Sequence, residues 1–308
     1  MSTADVTIIH AEQTLAPEGK RVVRRLLRDR AALAGMVVAT LFVVGALAAP
    51  WASPHDPIAT DFTNRFASPS VDHPLGTDNV GRDVLSRMLH GARLSLGMAV
   101  AATAGITVLG LILGLVSAMY GRLADTLIMR AADVLQALPM LILALVLVGL
   151  LGQGLRTLII VISLIGWPLY ARIVRGVALK LREQDFVEAA RAAGAPRLRI
   201  IVRHVVPNLL GPMVVLSTLD MGRVLLAVSG LSFLGFGISP PTPEWGAMLS
   251  EGRAFLDRAP QLLAYPGLAI TLMVLAFNLA GDGLRDFLDP RTGEDVPTWE
   301  EMGGGLLR

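Results

Sequence analysis

The sequence predicts an all-α, polytopic membrane protein with six transmembrane helices. Of its 308 residues 53% are hydrophobic and only 17% charged, against about 25% charged in a soluble domain, and mean hydropathy is +0.60. The apolar residues gather into six long runs. The positive charge, arginine except for Lys20 and Lys180, sits between those runs. So few polar groups cannot cover so much apolar chain in water, which excludes two soluble domains and intrinsic disorder alike. The absence of cysteine excludes disulfide staples, thiolate catalysis, iron–sulfur clusters and cysteine-based zinc sites. Net charge is +2 and the isoelectric point near 9.4, but arginines placed between apolar runs serve membrane topology. Nucleic acid is therefore not an expected partner.

Residues 1–30 form a polar segment ending in the basic cluster Lys20, Arg21, Arg24, Arg25, Arg28 and Arg30. The first transmembrane helix is expected at 31–51, where the uninterrupted run Ala31–Ala49, at about 1.5 Å per residue, reaches across about 30 Å of hydrocarbon. A secretory signal is the competing reading. The run is long for one, starts late, and Leu47-Ala48-Ala49-Pro50-Trp51 is a poor cleavage site. Residues 52–93, with Pro54, Pro57, Pro69 and Pro74 among Asp, Asn and Ser, read as an external aqueous segment. A core of five further helices fills 94–284, with spans expected at Leu94–Tyr120, Ala124–Leu151, Leu155–Val174, Val205–Val228 and Leu262–Gly281. Pro139, Pro168 and Pro212 lie within or beside spans, which bundles tolerate. Residues 285–308 form a polar tail. With both termini inside, inner segments hold 19 Lys and Arg and outer ones 7. That bias places both termini in the cytoplasm.

The long inner loop, 176–206, is expected to fold as a helical hairpin. Glu183–Ala193 is rich in helix formers, Gly194 is a natural stop, and Pro196 suits the first turn of a second helix, which Pro207 ends. Phe186, Ala189, Ala190 and Ala193 fall on one small-residue face that another protein can approach closely. A hairpin resting on anionic lipid is the alternative.

Glu188-Ala189-Ala190, then Gly194, then Arg203-His204-Val205-Val206-Pro207-Asn208, resembles the EAA loop of binding-protein-dependent ABC importer permeases, in the variant of their peptide and nickel branch. Two further segments resemble the C-type subunits of dipeptide/oligopeptide transporters. One is the block from His73-Pro74-Leu75-Gly76-Thr77-Asp78 to Gly81-Arg82-Asp83 and Arg87. The other is Leu231-Ser232-Phe233-Leu234-Gly235-Phe236-Gly237 with Pro240-Pro241-Thr242-Pro243-Glu244-Trp245-Gly246. The chain departs from the pattern at His204 and Val206, and at Val228, where a Glu is expected.

The resemblance implies a type I ABC importer permease-like bundle in the bacterial inner membrane, forming half of a path for peptides. It implies a homologous second permease subunit, two ABC ATPase subunits or one fused ATPase, and an extracytoplasmic substrate-binding protein. Phe186, Glu188, Ala189, Ala190, Ala193, Gly194, Arg203, His204 and Pro207 would form the ATPase-coupling loop, with ATP and Mg on the partner ATPase.

No phosphate-cradling G-x-x-x-x-G-K-[ST] occurs, since Lys20 is followed by Arg21 and Lys180 by Leu181. No catalytic residue and no metal site is expected. His10, His55, His73, His90 and His204 lie outside the spans and H-E-x-x-H is absent, which excludes an intramembrane or zinc protease. A secondary transporter would call for an inverted repeat. Charges within spans are site candidates. Asp220 and Arg223, three apart, either line the translocation path or pair with each other. Arg130 and Asp133 allow the same two readings, and Arg172 and Arg175 are expected to snorkel at the inner face. Gly76 and Gly81 permit tight turns, while Asp78 and Asp83 can cap or pair with Arg82 and Arg87 in an outer lid.

Overall fold

A computed structural model describes residues 29–288, so expectations for 1–28 and 289–308 lie outside the described residues. Helix α1 is Arg30–Ala52, α2 Val84–Met119, α3 Arg122–Ala137, α4 Met140–Leu151, α5 Leu155–Arg182, α6 Asp185–Ala192, α7 Arg197–Ile200, α8 Val206–Leu231, α9 Trp245–Arg253 and α10 Gln261–Leu288. Five helices are long and apolar enough to cross a membrane, and the bent pair α3–α4 makes a sixth span if counted as one.

The centre of the bundle is α2 against α5, and here the sequence carries a signal that the reading of apolar runs passes over. Gly110 and Gly114 stand four apart on α2, and a Cβ on Gly114 would lie 2.6 Å from the Ala171 carbonyl oxygen of α5. The two backbones touch because those side chains are missing, as in small-xxx-small packing between membrane helices. Ile106, Leu158, Ile162, Tyr170 and Val174 close the seam, and α8 adds Leu209, Val224 and Val228. Val228, where an acid is expected, is fully buried in this apolar cluster. Helix α1 packs on α10, with Gly35 so close to α10 that a Cβ would lie 2.9 Å from the Ala276 carbonyl oxygen.

Four local features differ from the sequence-based expectation. The helix holding the second span begins at Val84, not Leu94. Its first turns carry Arg87, His90 and Arg93 outside any apolar run, and Asp83 caps it by accepting from Ser86 N–H at 2.8 Å. The run Ala124–Leu151 is two helices bent by 97°. Leu138 adopts extended backbone ahead of Pro139, which sterically disfavours helix at its predecessor. Pro207 does not end the second hairpin helix: residues 201–205 form a widened π-type turn, and the helix runs on through Pro207 as one 40-residue element, Arg197–Phe236. In that turn the Val206 N–H reaches back to Ile201 O, so the ladder is already offset where the proline lacks a donor. Finally, Arg172 and Arg175 do not stand free. Arg175 forks onto Asp125 at 2.5 and 2.6 Å, Arg172 reaches Asp133 at 2.6 Å and also bonds Gln136, so Asp133 pairs with α5 rather than with Arg130.

Candidate functional site

The hairpin formed by α6 and α7 hangs from the end of α5 beside the end of α2, where the Arg182 guanidinium donates to Ala118 O at 3.3 Å. Its turn is a Schellman closure: Gly194 N–H donates to Arg191 O at 3.0 Å and Ala195 N–H to Ala190 O at 3.1 Å. Gly194 sits at φ +78°, and a Cβ there would meet nothing within 4 Å. Glycine is needed for its backbone conformation, and the space around it is empty.

Val187, which sequence reasoning passed over, is fully buried and anchors α6 to the bundle. Its signal was a lone β-branched residue between charged ones. Ala190 turns half inward beside it. Phe186, Glu188, Ala189, Ala193 and Arg203 face outward, with Phe186 44% exposed, and Pro207 is exposed as well. The Phe186 ring lies 6.0 Å from the half-buried His204 ring, which joins the two arms. Leu198 and Val202 extend the exposed apolar surface along the second arm. Among the described residues Glu188, Arg191, Arg197, Arg199 and Arg203 make no ion pair. Of the expected coupling-loop residues, Phe186 and His204 are brought together across the two arms, while Glu188, Ala189, Ala193, Arg203 and Pro207 are exposed.

Asp220 and Arg223 form the intrahelical pair, with Arg223 Nε 2.6 Å from Asp220 Oδ1. Asp220 also accepts from the Tyr170 hydroxyl at 3.2 Å. The acid is buried, whereas the arginine side chain is 50% exposed.

At the other end of α2 the segment between α1 and α2 and the loop after α8 build a polar platform. Arg82 Nε donates to Asp78 Oδ2 at 2.5 Å, and the Arg82 and Arg87 guanidinium groups converge on Glu251 Oε2 at 2.6 and 3.0 Å. Asp78 accepts from Val80 and Arg82 N–H in the turn that Gly81 permits at φ +81°. Glu244 is fully buried: it caps α9 through Gly246 and Ala247 N–H and accepts from the Ser95 hydroxyl at 2.8 Å. Trp245 Nε1 donates to Met88 O at 3.1 Å, closing α9 onto α2. On the exposed edge, Asp61 is held below the usual carboxylate range, first by the Thr63 hydroxyl and then by backbone N–H. The expected pairing of Asp78 with Arg82 and Arg87 and the turns at Gly76 and Gly81 are present. Glu244 and Glu251 were not foreseen as the platform's anchors.

A bundle of long apolar helices with a polar platform at one end and a helical hairpin at the other is the architecture of a multi-span membrane protein. The chain belongs to the family described as binding-protein-dependent transport system inner membrane component, whose profile matches residues 89–294. Residues 19–69 match the N-terminal transmembrane domain of oligopeptide transport permease C. The chain is 40% identical over 280 residues to the dipeptide transport system permease protein DppC of Alkalihalophilus pseudofirmus, covering 91% of this chain and 92% of that one. It is 42% identical over 255 residues to the nickel transport system permease protein NikC of Escherichia coli K12, covering 83% and 92%. It is 44% identical over 269 residues to a glutathione transport system permease protein, GsiD, of Escherichia coli O6:K15:H31, covering 87% and 89%. A solved structure of the MetNI methionine ABC transporter in an inward-facing conformation shares the fold at a TM-score of 0.52 and 19% identity, covering 65% of this chain and 96% of that one. The chain is an ABC importer permease subunit of the peptide/nickel type.

Proposed function

We propose that this permease forms half of a peptide path and takes its driving force from an ATPase subunit through the hairpin from Glu188 to Pro207. The observation that carries the reading is the hairpin's outward surface. Phe186, Ala189, Ala193, Leu198 and Val202 leave apolar area uncovered on a unit that Val187 and the Gly194 turn hold in one shape. Small side chains let a partner backbone approach closely, and the unpaired rim charges give register. The partners in this reading are a homologous second permease, two ATPase chains or one fused chain carrying ATP and Mg, and an extracytoplasmic substrate-binding protein. The termini lie in the cytoplasm, as the arginine bias directs. Closure of the ATPase pair would carry the hairpins together and rock the bundles between outward and inward access. Peptide is the cargo class, from the dipeptide relatives and the permease C match at the N-terminal helix. Asp220 and Arg223, one buried and one half-exposed, are the groups within the spans offered to a peptide's charged ends.

The test is Gly194→Val in vesicles reconstituted with the partner subunits. A β-branched residue at positive φ costs about 1–2 kcal/mol, and the empty space around the turn confines the strain to the hairpin. Insertion and assembly of the bundle remain normal, while uptake falls at least about tenfold and ATPase activity loses its dependence on substrate-loaded binding protein. Wild-type uptake with wild-type stimulation would overturn the coupling role.

A further inference from the structure

Three side chains of the polar platform converge on one point for which neither transport nor packing gives a reason. His73 Nδ1 lies 2.9 Å and His55 Nδ1 3.9 Å from the same oxygen, Asp83 Oδ1. The potential ligand atoms of the three residues all fall within 4.8 Å of one another. The imidazole rings are nearly stacked, with centroids 4.6 Å apart and planes 30° from parallel. The backbones beneath them are fixed. His55 N–H donates to the buried Ser86 hydroxyl at 3.1 Å. His73 sits in a tight turn, with its carbonyl accepting from Ser70 and Gly76 N–H and its own N–H donating to the Ser70 hydroxyl. Asp83 is fully buried, and its second oxygen is held by Ser86 N–H at 2.8 Å.

We infer that His55, His73 and Asp83 form a binding site for a divalent cation of the zinc type, which clasps the segment between α1 and α2 to the start of α2. Two imidazoles and one carboxylate are a donor set that suits zinc, nickel or copper and does not suit magnesium or calcium. In a tetrahedral site with metal–ligand bonds of about 2.0–2.1 Å, ligand atoms stand about 3.3 Å apart. His73 and Asp83 are already within that spacing. His55, whose side chain is 43% exposed, needs a shift of no more than about 1.5 Å to reach that spacing from both partners. The cation replaces the hydrogen bond between His73 and Asp83, Ser86 N–H orients the carboxylate from behind, and the fourth position opens to water on the His55 side. Because the three ligands are 18 and 10 residues apart in a proline-rich stretch, their spacing gave no warning of the site.

The chain has no cysteine to compete for the ion, so the full-length protein in detergent can be titrated directly with chelator-buffered Zn2+. One Zn2+ per chain is expected to depend on this site, with a higher melting temperature that a chelator reverses; Mg2+ gives neither. His55→Ala and His73→Ala each weaken binding at least about tenfold. Asp83→Asn keeps the helix cap, since Asn caps as well as Asp, and weakens binding to a similar degree, which separates ligation from folding. Zn2+ affinity unchanged in the His55→Ala/His73→Ala double variant overturns the site, as does a wild-type chain that binds no Zn2+.

Discussion

The two ends of α2 treat charge in opposite ways. At Val84, the platform buries Asp78, Arg82, Arg87 and Glu244 and satisfies them against one another, against Glu251 and against backbone N–H groups. Beyond Met119, the hairpin leaves Glu188, Arg191, Arg197, Arg199 and Arg203 exposed, with no ion pair among the described residues. A buried charge left unpaired costs several kcal/mol, so the platform's buried charges have to be paired within this chain. A solvated charge costs almost nothing, so the hairpin can leave its charges unpaired. The one region pairs its buried charges within its own sequence, and the other leaves its charges to solvent.

Mutations should separate the two regions by size of effect. Arg87→Met strips Glu251 of one guanidinium in a nearly solvent-free setting and should destabilise the protein by about 3–5 kcal/mol, read as a large fall in melting temperature of the purified transporter. A loss no greater than that of a hairpin charge would break the comparison. Between the extremes lie Asp220 and Arg223. Asp220→Asn should cost about 1 kcal/mol, because Arg223 is half-exposed and can turn away, and adding Arg223→Gln should recover much of it. A double variant with normal melting but selective loss of one cargo would place the pair in the path. At the small end, Glu188→Ala should change melting by less than about 0.5 kcal/mol, as exposed substitutions do, while weakening capture of the ATPase subunit from a defined mixture. Unchanged capture would leave the hairpin's charges idle.

Much of this was legible. The long apolar runs located the five spanning helices and the bent pair, and Gly194 with Pro196 located the hairpin turn, because both depend on local backbone and hydropathy alone. The failures are all non-local or depend on how one turn is wound. Arg175 reads as a snorkelling side chain unless Asp125, 50 residues earlier, is known to face it. Arg82 and Glu251 are 169 residues apart, and the loop after α8 has to fold back before they meet. Pro139 and Pro207 look alike in sequence, yet one marks a 97° bend and the other passes through a continuous helix. The difference is whether the preceding turn can widen to absorb the missing donor. Cargo is a further case: relatives named for dipeptide, nickel and glutathione transport stand at 40, 42 and 44% identity. Overall identity therefore does not separate the cargo classes.

The unbroken helix through Pro207 has a mechanical consequence. From Arg197 to Leu234, short of the non-helical Gly235, it joins the second arm of the hairpin to the loop preceding the polar platform in one rod, about 57 Å long at about 1.5 Å per residue. A tilt of about 5° at one end displaces the other by about 5 Å, roughly the width of an extended peptide backbone. A rod of that length needs no relay of side chains to link the position of the hairpin to that of the far end. Its stiffness is set at the widened turn of residues 201–205, the place where the arm would flex instead of pivot.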